Sequence, residues 1–287
     1  MTDDPDPSRD LLDPSDLIGL AAAGWRLGQD RCAGCGGYHR IWGTLRAAGV
    51  VGGTGADEAI LTPLLAALLK PADRVFLAGS ADPGLLDLVA RAAGQIPLTL
   101  SVADLCATPL AVIAQLRRQA AISVSTRRLD LADLEDVGQW DLILSHSMLP
   151  FVPPTQRLEI LVRLRRALAL EGRLVLAART SANLTAAEAA VHDEAWTTRA
   201  RKRIADAGVP LPGPAEAFDA DLATFAARRQ GQLGGFETAE MIAGLLEQAG
   251  FEVLQSLKSQ ETTRLHLGGG THSRQSYVFV ARDSSFA

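Results

Sequence analysis

Three groups of residues in this 287-residue chain have the types and spacings that chemistry uses. The first is RVFLAGSADPGLLDLV, residues 74–89, which reads as a short strand, a glycine turn and a helix. Gly79 lets the turn bend sharply and lets a ligand approach the backbone. The helix that starts at Gly84 offers free N–H groups, which favour a carboxylate or another anion. The second group is a pair of acids at the ends of later apolar runs. Asp104, in SVADLC, lies 25 residues beyond Gly79, where a carboxylate can accept both hydroxyls of a ribose. Asp130, in RRLDLADLE, could accept from an adenine amino group. Each also has a plainer reading, as a strand-to-helix turn, a helix N-cap or a turn residue. Their occurrence in order, on consecutive strand ends, is what joins them into one adenosine-binding set.

The third group is RCAGCGGYH, residues 31–39. Cys32 and Cys35 have two residues between them, and His39 follows four residues on. Thiolates and an imidazole at such spacing suit zinc, which takes four ligands in a tetrahedron. Cys106 or His146 would complete the set only if the N-terminal segment folds onto the second and fourth strands. A redox pair is another active reading. The reading adopted for the segment alone is a tight glycine turn with two small buried side chains and no metal. Three cysteines are too few for a disulfide framework and fit a reducing compartment.

The elements that must position these residues follow from hydrophobic periodicity. Residues 1–16 are acidic and proline-rich and are expected to be a disordered tail. Helices are expected over 17–28 and from 41, with a loop at 52–55. Residues 56–69 form a strong helix, with Ile60, Leu61, Leu64, Leu65, Leu68 and Leu69 at three- and four-residue spacing. Strands are then expected at 74–78, 97–102, 122–129, 140–145 and 173–178, separated by helices at 84–93, 109–119 and 155–169. Alternation at this spacing implies a parallel sheet covered on both faces. A long polar helix at 185–207, a loop at 209–218 and helices at 220–229 and 238–248 precede two final strands, 252–256 and 275–281. The expected organisation is a tail at 1–16, a helical extension at 17–55 and an α/β domain at 56–287. A helical insertion at about 181–235 would join the extension as a lid.

In this order the motifs resemble class I S-adenosylmethionine-dependent methyltransferases. The resemblance runs through VFLAGSADPG, SVADLCATPL, RRLDLADL, WDLILSHSMLPFVPP and RRALALEGRLVLAAR, then through GFETAEMIAGLLEQAGFEV and YVFVAR. It implies a Rossmann-like, seven-stranded, mostly parallel sheet. Its last strand would be antiparallel and inserted between the fifth and sixth. It implies S-adenosylmethionine as cofactor and direct methyl transfer to a small molecule. Gly79, Ser80, Ala81 and Asp82 would line the methionine part. Asp104 would hold the ribose with Leu105 beside the adenine, and Asp130 and Leu131 would meet the ring. Ser145 and His146 would face the sulfonium and the substrate. The sequence departs from the family loop at Leu77, which stands in the usual acidic place, and at Ala81, which stands where the middle glycine belongs. Asp82 could substitute for the missing carboxylate.

Methyl transfer needs alignment, and a base where the acceptor carries a proton. His146 is the first base candidate, because the end of the fourth strand faces the crevice. His39 and Tyr38 are the second group, on a segment that could fold over the cofactor. Tyr38 or Trp42 could cover the methyl group, and Arg46 could reach the cofactor carboxylate. His192, on the insertion, could reach the site from above. No nucleophile triad is apparent.

Composition sets the outer bounds. The chain is 47% hydrophobic and 21% charged, enough apolar matter for a sizeable core. A net charge of −5 offers no general attraction to nucleic acid or anionic lipid, so neither is an expected partner. The basic clusters at 163–166 and 199–203 read as solvated helix faces. There is no basic, apolar leader and no membrane-length apolar run, so a cytoplasmic location is expected. Two other readings remain. One is a non-catalytic or regulatory S-adenosylmethionine-binding subunit, and the other a nicotinamide-dependent oxidoreductase.

Overall fold

A computed structural model describes residues 12–13, 15–32, 35–116, 121–181, 186–230, 236–267 and 270–286. Its frame is the expected alternation. Strand β1 (Arg74–Ala78) leads through α4 (Gly84–Ala93) to β2 (Leu98–Asp104), and α5 (Ala107–Ala114) leads to β3 (Ile122–Arg128). The chain then crosses back to β4 (Trp140–His146), α6 (Pro154–Ala167) and β5 (Leu168–Ser181). A closing hairpin, β6 (Phe251–Leu267) and β7 (Gly270–Asp283), follows α9 (Ala239–Gln248). The seven strands are ordered β3-β2-β1-β4-β5-β7-β6. β1 to β5 are parallel, and β7 runs antiparallel between β5 and β6. The strand order reverses at β1, which pairs with both β2 and β4. That places a crevice outside the carboxyl ends of these strands.

The period of two along each strand feeds two cores. Val75, Leu77, Leu100, Val102, Leu142 and Leu144 face one side, where α4, α5 and α3 (Glu58–Leu68) cover them. Phe76, Ala78, Ala103, Ile143, Leu174 and Leu176 face the other side, against α6 and α9. The expected stripe of α3 is in place, with Leu61 and Leu65 buried and Ile60, Leu64 and Leu68 packed beside them.

A third core lies outside the sheet. The N-terminal helices α1 (Leu17–Arg31) and α2 (Tyr38–Ala47) meet the insertion helices α7 (Ala186–Asp206) and α8 (Ala215–Gln230). Trp25, Ile41, Leu45, Trp196, Ile204, Phe218, Leu222 and Phe225 pack together there. The crossing of α1 and α2 is close: a Cβ at Gly43 would come within 2.6 Å of Ala21 Cα. Arg40 and Asp221 form a salt bridge that joins α2 to α8.

Several expected boundaries move. Helix α8 begins at Ala215, inside the stretch read as a loop, because Pro214 just before it is compatible with a helix start. Helix α1 extends to Arg31, past the expected end at 28. α5 ends at Ala114, short of 119, and residues 117–120 lie outside the described residues. β6 and β7 extend well beyond their apolar segments as one long ladder. Of the expected tail, residues 1–11 and 14 lie outside the described residues. Leu12 bridges to Leu116, and the Asp16 side chain caps α1 by accepting from Gly19 N at 2.8 Å. The basic helix faces carry acidic partners: Arg163 pairs with Glu159, Arg165 with Asp283, Arg201 with Asp219 and Lys202 with Asp206. Among the described residues no helix is long and apolar enough to cross a membrane.

Candidate functional site

The tips of β1, β2 and β3 adjoin. Gly79 N donates to Ala103 O at 2.9 Å, and Leu129 N donates to Asp104 O at 3.1 Å, so the ladder continues into the loops. The Asp104 carboxylate spans two of these tips. Oδ2 accepts from Ser80 N at 3.1 Å, and Oδ1 accepts from Cys106 N at 2.7 Å. Burial pushes the Asp104 carboxyl above the usual carboxylate range, against the opposing pull of His39 and of those two N–H donors. Leu105, the next residue, is 66% exposed, an apolar surface at the rim of the crevice. At the third tip Asp130 Oδ1 accepts from Ala132 N at 2.9 Å, which fixes the turn, while Leu131 is buried in the core below.

Comparison with solved structures bears on the fold. A protein from Bacillus halodurans C-125, provisionally called a methyltransferase, superposes with a TM-score of 0.50 at 14% identity. The match covers 79% of this chain and 98% of that one. A protein from Bordetella parapertussis, provisionally described as exported, gives a TM-score of 0.50 at 15% identity over 80% of this chain and 68% of that one. No family model and no curated protein sequence matches the chain. The chain has the class I methyltransferase fold.

Where the strand order reverses at β1, the loop after β1 and the tip of β2 border the crevice, and its two ends differ. At the Asp104 end the rim is open at Leu105. At the other end the loop is held shut. Gly79 has φ +76°, and a Cβ there would lie 2.7 Å from Met148 Cγ, so only glycine fits. Ser80 is buried, and its hydroxyl donates to Asp82 O at 2.7 Å. The Asp82 carboxylate accepts from Gly84 N, the first residue of α4, at 2.7 Å, and from Trp42 Nε1 on α2. Arg46, also on α2, pairs with Asp82 at 2.9 Å, and both side chains are largely buried. A cavity of about 20 Å³ lies between α1, α2, this loop and α5, lined by Leu20, His39, Trp42, Arg46, Asp82 and Val112 among others.

The base candidates separate. His146 Nε2 lies 2.8 Å from Oδ2 of Asp57, whose carboxylate is fully buried in the short turn before α3. A carboxylate only accepts, so Nε2 carries the proton and Nδ1 is the nitrogen left to take one. Burial opposes ionisation of Asp57, but the hydrogen bond from His146, with Arg179 nearby, outweighs it and holds the carboxyl below its usual range. Ser145 is buried beside His146, and its Oγ has no hydrogen-bond partner among the described residues. Tyr38 stacks on Phe225 at 5.1 Å and lies edge-on to Trp42, within the third core. The side chain of His192 lies outside the described residues.

His39 faces the cysteines. Its Nδ1 is 3.4 Å from Cys35 Sγ, and Cys106 Sγ is 3.8 Å from both Cys32 Sγ and Cys35 Sγ. The four ligand atoms lie within 4.8 Å of one another. Thr108 Oγ1 is 3.0 Å from Cys32 Sγ. The Cys35 thiol is held far below its usual range by hydrogen bonds from Cys106 and Cys32, with the backbone N–H groups of His39 and Gly37 assisting.

One residue of the site, Asp57, was not singled out from sequence. Asp57 reads there as part of an ordinary helix start. Asp82 was read as a substitute carboxylate inside the loop, and its tie to Trp42 and Arg46 depends on where α2 lands.

Proposed function

We propose that the chain is an S-adenosylmethionine-dependent methyltransferase acting on a small-molecule acceptor. The observation that carries the reading is the Asp104 carboxylate, joined to the β1 loop through Ser80 N and followed by the exposed Leu105. On this reading Asp104 takes the ribose hydroxyls, Leu105 lies against the adenine, and Gly79 to Asp82 hold the methionine part. The cofactor supplies a methyl group on a positively charged sulfur. His146, held by Asp57, orients the acceptor and takes its proton through Nδ1 where there is one. Ser145, whose hydroxyl has no partner among the described residues, adds a polar contact at the same tip.

The small-molecule assignment draws on the four-helix cap, since α1, α2, α7 and α8 would enclose an acceptor. The test is calorimetry with S-adenosylhomocysteine. Binding at micromolar strength is expected, and Asp104→Ala should weaken it by roughly 1.5–3 kcal/mol, the range for charge-assisted hydrogen bonds. Equal affinity in the variant would remove Asp104 from the site.

The Asp82 clamp favours a second reading, a cofactor-binding subunit without turnover. An enzyme must open the α2 end in each cycle, whereas a binding subunit need not. Amide exchange in α2 separates the two. Opening that is fast in the free chain and quenched by S-adenosylhomocysteine supports the enzyme, and opening that is only slow supports the binder.

A further inference from the structure

Cys32, Cys35, His39 and Cys106 come from two distant parts of the chain. Cys32 ends α1, Cys35 lies in the following turn, and His39 is in the first turn of α2. Cys106 precedes α5, just past the tip of β2. Neither the class I fold nor the proposed methyl transfer calls for this convergence. We propose that these four side chains form a tetrahedral binding site for a zinc-class divalent cation, which staples the N-terminal helices onto the tip of β2.

The distances carry the assignment. A tetrahedron with Zn–S of about 2.3 Å sets sulfur atoms ~3.8 Å apart, and with Zn–N of about 2.05 Å it sets nitrogen and sulfur ~3.6 Å apart. Two of the three S···S distances are 3.8 Å, one N···S distance is 3.4 Å, and all four ligand atoms lie within 4.8 Å of one another. A disulfide would bring one pair to about 2.05 Å and leave the third sulfur aside. Here Cys106 is equidistant from both partners, and all three cysteines are free. Three thiolates and an imidazole are the soft donor set that selects zinc over magnesium or calcium. Four protein ligands close the coordination shell, which marks a structural ion rather than one that activates water. The surroundings fit as well. The Thr108 hydroxyl reaches Cys32 Sγ at 3.0 Å, and the cluster is buried apart from half-buried Cys35.

The consequence is mechanical. The α1–α2 segment carries Trp42 and Arg46, which hold the β1 loop through Asp82. A bound ion would fix one end of α2 beside Asp104 while the Trp42 and Arg46 contacts remain free to break.

The experiment uses full-length, tag-free protein kept reduced. Elemental analysis is expected to find one zinc ion per chain. Cobalt(II) added to chelator-stripped protein should give the intense visible absorption of tetrahedral thiolate coordination. Cys106→Ser and His39→Ala should each lose most of the bound metal, with circular dichroism reporting whether they remain folded. Stripping the metal from the unmodified protein should lower amide protection in residues 17–47 more than in the sheet. Protein that carries no metal and gives no cobalt spectrum would overturn the site, as would an intact mass two units short, marking a disulfide. Unchanged protection of residues 17–47 after stripping would overturn the staple. None of these readouts depends on S-adenosylhomocysteine binding, so this proposal can fail independently of the methyltransferase reading.

Discussion

Trp42→Phe should tighten the binding of S-adenosylhomocysteine. In the closed arrangement Trp42 Nε1 donates to the Asp82 carboxylate, and Arg46 Nη1 lies 2.9 Å from the same group. Phenylalanine keeps an aromatic ring near Tyr38 and Phe225, with which Trp42 forms edge contacts, but removes the donor. A hydrogen bond to a charged group contributes about 1.5–3 kcal/mol. Asp82 retains Arg46 and Gly84 N, so it is not stranded, and the lower end of that range applies. Apparent affinity scales with the fraction of molecules in the binding-competent form. Destabilising the closed form by about 1.5 kcal/mol should therefore lower the apparent Kd roughly tenfold, until the open form dominates. Calorimetry on the native protein and the variant measures this directly. Unchanged or weaker binding in Trp42→Phe would refute the claim that the Asp82 contacts oppose cofactor entry.

The Asp57–His146 pair gives a pH test. The folded pKa of Asp57 is depressed, so its contribution to stability is complete above the unfolded value of 3.8 and is lost as pH falls through the lower folded value. Asp57→Asn should be less stable at neutral pH and should lose less stability than the native protein on acidification below pH ~4, read by urea unfolding. The third core gives a packing test: Phe218→Ala, at a fully buried position between α1 and the insertion, should cost about 3–5 kcal/mol by chemical denaturation. A loss under about 1 kcal/mol would mean that α8 does not anchor the helical cap.

The sheet was legible because its signal is local. RVFLA, WDLILS and RLVLAA are apolar runs of strand length between helical repeats, and all three lie in the sheet where expected. The inserted antiparallel β7 was reached through resemblance, since nothing in YVFVAR states its direction. Polar strands were harder to read: β6 continues past Ser256 through a polar sequence, held by its ladder to β7 rather than by an apolar period. Asp104 was placed at a strand tip, and it is there; its role as the acceptor for Ser80 and Cys106 depends on exact turn geometry. The cysteine spacing was visible, but Cys106 is 71 residues beyond Cys35. Only the docking of α1 and α2 on the β2 tip brings them together. The same docking commits Trp42 and Arg46 to Asp82, and Asp57 takes His146, the other residue considered as a fourth ligand.

The central claim is that the tips of β1 and β2 hold one adenosyl group while α2 moves aside. An experimental structure of the protein crystallised with S-adenosylhomocysteine tests it most directly. The expected result is a ribose within hydrogen-bond distance of Asp104, the adenine against Leu105, and Trp42 withdrawn from Asp82. A crevice without ligand at saturating concentration, with Trp42 and Arg46 still on Asp82, would contradict it.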